Sequence, residues 1–206
     1  MKSPLVQIDR FQACRHADRV LHPPRGRMIN VGRIAVALAL TRALLGAEAS
    51  AADVPWEAPE VSGEQWFNSE PVRMADLKNR VVLVEFWTFA CSNCRNVEPY
   101  VKAWHKRYAD KGFVVIGVHT PELAIERDVE YVRRYVKERG LSYPIVTDNA
   151  FQTWQRYDNH AWPAIYLIDK RGLVRYVKVG EGNYDRTEQA IQALLAENPT
   201  DTGPHR

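Results

Sequence analysis

Residues 81–99 read VVLVEFWTFACSNCRNVEP, and the way this stretch divides decides the fold. It opens on Val81, Val82, Leu83 and Val84, a run too short for a buried helix and rich in β-branched residues. That pattern predicts a strand covered on both faces. The stretch closes on a polar, helix-compatible segment. Cys91 and Cys94, a C-x-x-C pair, stand at the junction. A helix N-terminus carries unpaired N–H groups and a partial positive charge, both of which favour a thiolate over a thiol. The spacing places Cys91 at that terminus and Cys94 one turn inside, with the sulfurs facing each other within disulfide reach. The pair reads as a dithiol that opens and closes.

The chain has 206 residues, enough for one domain with extensions, and an ordinary globular composition of 46% apolar and 26% charged residues. Its formal charge of +3 is segregated. Residues 1–51 hold 8 of the 28 Lys and Arg and 3 of the 25 acids, which leaves the body near −2. Nucleic-acid binding therefore loses its electrostatic footprint. The leader has a short basic start at Met28, an apolar run over 34–45 and small-residue cleavage patterns at Ala49-Ser50-Ala51 and Ala47-Glu48-Ala49. It reads as a signal peptide, with Met28 as the expected true start. The run is interrupted by Arg42 and is short for ~30 Å of hydrocarbon, so a membrane tether is the weaker alternative. The expected organisation is an extension and signal peptide at 1–51, one domain at 52–198 and a tail at 199–206. Cleavage removes Cys14 and leaves only the C-x-x-C cysteines in the exported body, which points to exchange chemistry or a single local staple.

Along the body, residues 64–67 and 72–74 are expected to pair as a short hairpin. A helix is expected over 92–109, with Val97, Val101, Trp104 and Tyr108 on one stripe and a kink at Pro99 inside it. Residues 113–118 form a second buried strand, which makes a right-handed βαβ unit. A second helix is expected over 124–139, with Ile125, Val129, Val132 and Val136 on one face and Gly140 after it. A strand at 143–146, a short helix near 149–157 and a hairpin of 164–168 with 173–179 follow. The last helix is expected to open on the capping-box spacing of Asp185 and Glu188. The sum is an α/β fold with a central mixed β-sheet flanked by helices and a helical insertion after the second core strand.

Cys91 is the nucleophile candidate and Cys94 the resolving thiol. A structural disulfide or half a zinc site are the bland alternatives, but no second cysteine pair is present for zinc and no cofactor is expected. Glu85 interrupts the most apolar strand six residues before Cys91. Buried there, its pKa would rise and it could move the proton of Cys94; at an edge it would merely face water. Trp162-Pro163 precedes the strand at 164–168. A cis bond there would offer the Trp162 backbone as a pairing edge for a substrate chain, and the residues alone leave cis and trans open. Trp87 and Phe89 flank the motif and are read as a hydrophobic docking surface, with core packing an equal account of Trp87. His119 and His160 could influence the thiolate, or be loop histidines with no role.

The pattern E-F-W-x-x-x-C-x-x-C at 85–94, Pro99 in the following helix and Pro163 before an antiparallel hairpin together resemble the thioredoxin superfamily. The resemblance covers about residues 60–196. It implies a buried acid at Glu85, nucleophile and resolving thiol at Cys91 and Cys94, and a cis-proline at Pro163. The helical insertion is similar to TlpA-like exported thiol-disulfide oxidoreductases. The phrases FWTFACSNC, VIGVHTPE, YPIVTDN and WPAIYLID look like the thioredoxin-like domain of DipZ-type proteins. In those the domain is attached to a membrane electron-carrying module, which is not found in this sequence. The implied partners are therefore client proteins with disulfides or thiols, apocytochrome c among them, and a separate membrane electron donor of the CcdA/DsbD type. Ser92-Asn93 between the cysteines departs from the Gly-Pro of thioredoxin and leaves the potential open.

The expected function is thiol-disulfide exchange with client proteins in the periplasm, in the reducing direction. A peroxiredoxin-like thiol peroxidase is a second reading of the same fold. It needs a lone activated cysteine with an Arg nearby, whereas here Trp87-Thr88-Phe89-Ala90 precede Cys91 and Arg95 lies inside the helix turn. A copper carrier is a third, opposed by the two-residue spacing.

Overall fold

A computed structural model describes residues 55–198. The leader, its cleavage site and the tail after 198 lie outside the described residues. Seven strands form one sheet in the order β1-β7-β6-β3-β4-β5-β2, namely β1 (Trp56–Glu57), β2 (Trp66–Phe67), β3 (Val81–Trp87), β4 (Phe113–His119), β5 (Ile145–Thr147), β6 (Ala164–Ile168) and β7 (Leu173–Val179). The helices are α1 (Ser92–Tyr108), α2 (Val129–Arg139), α3 (Gln152–Arg156) and α4 (Tyr184–Ala196). β3 runs parallel to β4, and β4 to β5, while β6 and β7 are antiparallel. The sheet is mixed and flanked by helices, as the sequence predicts.

β3 is central, and all seven of its residues are buried. That is why its sequence is a continuous apolar run rather than an alternation. Val81, Leu83 and Trp87 face the cluster made with Val97, Val101 and Trp104 of α1, Val132 of α2 and Ile191 of α4. Val82, Val84 and Phe86 face the opposite cluster with Ile116, Tyr157 and Tyr166. Burying each such side chain stabilises the fold by roughly 1.5–3 kcal/mol. α1 runs through Pro99 without interruption, and the chain turns into β4 at Gly112, whose φ of 85° is left-handed.

Three local expectations need correction. β2 pairs with β5 rather than with 72–74, because Asn68 turns the chain at φ 64° and its Nδ2 donates to the carbonyls of Leu141 and Tyr143. Residues 74–77 form a 3-10 turn instead. The helix expected over 124–139 is broken in two: Ala124–Arg127 is a 3-10 turn, and Asp128 caps α2 by accepting the Glu130 N–H at 2.8 Å. Ile125 therefore leaves the apolar face and is 52% exposed. α4 opens two residues early, with Asn183 rather than Asp185 at its N-cap.

Candidate active site

The end of β3 delivers the chain into the loop Thr88, Phe89, Ala90 and then into α1. Cys91 is the N-cap of α1, and its Sγ accepts the Cys94 N–H at 3.1 Å. The two cysteines form a disulfide across a Cα–Cα distance of 5.3 Å. Cys91 is half-buried, whereas Cys94 is 3% exposed and belongs to the core. A sulfur that accepts an amide hydrogen bond at a helix N-terminus is in a setting that favours the thiolate. A sulfur one turn inside, shielded from solvent, can attack only what Cys91 holds.

The loop is tied from both sides. Ala90 donates its N–H to Glu126 Oε1 at 2.9 Å, and Arg95 Nη1 donates to the carbonyls of Phe89 and Ala90 at 3.1 and 3.0 Å. Glu126 also accepts the N–H groups of Glu122 and Leu123 at 2.8 and 2.7 Å. Burial alone would raise its pKa, but these bonds and one from Thr88 outweigh burial and hold it below the ordinary carboxylate value.

Glu85 lies on β3 between Gly117 of β4 and Ile165 of β6, and is 2% exposed. It shares its face of the strand with Leu83 and Trp87, the face against which Cys94 packs. Burial, with a further push from the charge of Glu98, raises its pKa to about 8. Glu98 follows Cys94 by one turn of α1 and is itself buried. It accepts the Tyr135 hydroxyl at 2.8 Å and Arg139 Nε at 3.0 Å, both from α2. A carboxyl group with its pKa near neutrality can both take and return a proton.

The register that sets Phe86 opposite Ala164 brings Trp162-Pro163 to the same end of the sheet. The Trp162-Pro163 bond is cis, Trp162 Nε1 donates to the Thr120 carbonyl at 3.0 Å, and the Pro163 carbonyl accepts the Gly180 N–H at 2.8 Å. Phe89, Cys91 and Trp162 are partly buried against one apolar cluster. Trp87 needs correction as a docking residue: it is 4% exposed, enclosed by His119 and Tyr135 at ring separations of 4.9 and 5.6 Å. His119 is fully buried at the end of β4, where burial lowers its pKa to about 4. His160 is exposed beside Asp158.

Sequence reasoning missed Glu126 and Glu98. Glu126 sits among apolar residues that fit a continuous helix, and only Asp128, a good N-cap two residues later, signals the break that turns it inward. Glu98 lies four residues after Cys94, on the same face of α1, a spacing that could have marked it.

Residues 54–177 match the AhpC/TSA family. The chain belongs to the AhpC/TSA family. Within the thioredoxin superfamily it is a TlpA-like member. Over 142 residues this AhpC/TSA protein is 44% identical to the protein DipZ of Mycobacterium tuberculosis, a match covering 67% of this chain and 20% of DipZ. The chain thus spans about a fifth of that relative's length. It is 28% identical to the thiol-disulfide oxidoreductase YkuV of Bacillus subtilis, over 68% of this chain and 94% of YkuV. Among solved structures it is similar to a thiol-disulfide isomerase from Corynebacterium glutamicum, with a TM-score of 0.62, 26% identity, and coverage of 68% of this chain and 98% of that one.

Proposed function

We propose that this AhpC/TSA family member is an exported thiol-disulfide oxidoreductase that reduces disulfides in client proteins. The observation that carries the reading is Cys91 Sγ capping α1 and accepting the Cys94 amide, with Cys94 shielded beneath it. In the dithiol form, the Cys91 thiolate attacks one sulfur of a client disulfide. A Cys91–client bond forms, the client S–S bond breaks, and the released client thiolate takes a proton. Cys94 gives its proton to Glu85 and attacks Cys91 Sγ. The Cys91–Cys94 bond forms, the mixed disulfide breaks, and the client leaves with both sulfurs reduced. Two electrons have passed to the client, and a thiol donor must restore the pair. A membrane donor of the CcdA/DsbD type suits an exported protein, and the leader at 1–51 supports export to the periplasm. Trp162, Pro163 and Phe89 are assigned to holding the client chain beside Cys91, and apocytochrome c is one client class that fits. The test is turnover of a protein disulfide such as insulin by the full chain with a thiol donor, which Cys91→Ser abolishes.

A thiol peroxidase shares this fold, and the family match favours keeping it as the second reading. Against it, the Arg95 guanidinium is engaged with the carbonyls of Phe89 and Ala90, and Cys91 is bonded to a partner three residues away. Full hydrogen peroxide turnover by Cys94→Ser with an external thiol would reverse the preference.

A further inference from the structure

Glu126 comes from the insertion, 35 positions after Cys91, yet it holds the residue next to that cysteine. It is fully buried, and its two oxygens accept three backbone N–H groups: Ala90 on Oε1, Glu122 and Leu123 on Oε2. Thr88 Oγ1, on the other side of Phe89, lies 3.2 Å from His119 Nε2. Burial keeps His119 neutral near pH 7, and its Nδ1 has no hydrogen-bond partner. Ala90, the residue between Phe89 and Cys91, thus bonds a buried carboxylate from the insertion.

We propose that Glu126 is a positioning residue of the dithiol: it fixes the backbone that carries Cys91, and its buried negative charge opposes ionisation of the Cys91 thiol and biases the pair toward the disulfide. The inference rests on the oxidoreductase reading above and deepens it. Two negative charges in a poorly solvated site repel, so the thiolate is destabilised, and with it the reduced form at neutral pH. Arg95 and the N-terminus of α1 act the other way, from the carbonyl side of the same loop. Other ionisable groups around the loop and the dithiol are the neutral His119 from β4, Tyr135 from α2, whose pKa burial and Glu98 raise, and the buried carboxyl groups of Glu85 on β3 and Glu98 on α1. Arg127, the neighbour of Glu126, is turned to the Asn149 carbonyl. The insertion then lowers the potential from outside the two residues between the cysteines.

The experiment measures two quantities on the full chain: the Cys91 thiolate pKa, from the pH profile of iodoacetamide alkylation of the reduced protein, and the dithiol–disulfide equilibrium in glutathione buffers. Glu126→Gln should lower the thiolate pKa by about one unit and shift the equilibrium about tenfold toward the dithiol. Glu126→Asp keeps the charge and should hold both near the wild-type values. A role in folding alone would lower thermal stability in either variant without moving the pKa. A folded Gln variant with wild-type pKa and equilibrium overturns the proposal and leaves the oxidoreductase reading standing. Failure of the wild-type protein to form any reversible disulfide overturns both. Should the Gln variant not fold, the Ala90 amide resonance of the wild-type protein decides: it should shift as Glu126 titrates in the acid range, and an amide indifferent to that titration overturns the proposal.

Discussion

Cys94 donates its backbone N–H to the sulfur of Cys91 at 3.1 Å, yet the two side chains differ in access, Cys91 half-buried and Cys94 3% exposed. The attacking role proposed for Cys91 and the resolving role proposed for Cys94 rest on that asymmetry. With Cys94→Ser the first step proceeds and the second cannot, so a client accumulates as a mixed disulfide on Cys91. With Cys91→Ser no adduct forms. Non-reducing gels of the two variants, incubated reduced with an oxidised client, read the difference. Adducts on Cys94 in the Cys91→Ser protein would reverse the roles.

Glu85 links the site to pH. Its folded pKa of about 8 lies above the unfolded value of 4.5, so the fold prefers the protonated form. The stability this preference contributes is complete below pH 4.5 and is lost as the pH rises through 8. Glu85→Gln, which cannot ionise, should be more stable than the wild type by roughly 3 kcal/mol at pH 7 and no different below pH 4. Urea unfolding at both pH values checks this. The same substitution should slow closure of the Cys91–Cys94 bond on the order of 100-fold at pH 7, since it removes the acceptor proposed for the proton of Cys94.

Gly117 faces Glu85 across the parallel pair, and a Cβ there would stand 2.9 Å from Trp87 Nε1, 3.2 Å from Ile145 Cγ1 and 3.3 Å from Tyr143 Cε2. None of these is the free end of a flexible chain, because Trp87 and Ile145 are core and Tyr143 is 1% exposed. Gly117→Ala should cost about 1–3 kcal/mol by overpacking and alter the near-ultraviolet circular dichroism of Trp87. A variant as stable as the wild type would show that this wall of the site can yield.

Leu123 and Ile125 precede the loop-holding Glu126 and are 51% and 52% exposed. Their replacement by Ser should change stability by less than about 0.5 kcal/mol. If clients rest on the insertion while they exchange, KM for a protein disulfide should rise and that for a small disulfide should stay unchanged. Equal effects on both substrates would remove these residues from client binding.

The strand Val81–Trp87, the helix that follows it and the hairpin of β6 and β7 were legible because each is specified locally, by an apolar run, a stripe or a turn. β2 was misplaced because its partner is chosen by Asn68 reaching carbonyls more than 70 residues away. The insertion was misread for a related reason. Ile125 fits the helical stripe of Val129 and Val132, but the three amides that Glu126 satisfies hold the chain in a tighter turn. In the site, the cysteines and Glu85 were visible as residue types out of keeping with their surroundings. Trp87 was ambiguous, since a tryptophan beside a motif serves a core and a surface equally. Glu126 was invisible, because its role depends on a backbone amide that no sequence pattern marks.

The reduction potential of the Cys91–Cys94 pair, measured on the full chain by thiol counting in glutathione or dithiothreitol buffers, tests the central claim most directly. A disulfide-reducing role predicts a reversible two-electron couple at or below about −230 mV. A couple above about −150 mV would mean that the protein oxidises or isomerises its clients, and the absence of any reversible disulfide would contradict dithiol chemistry altogether.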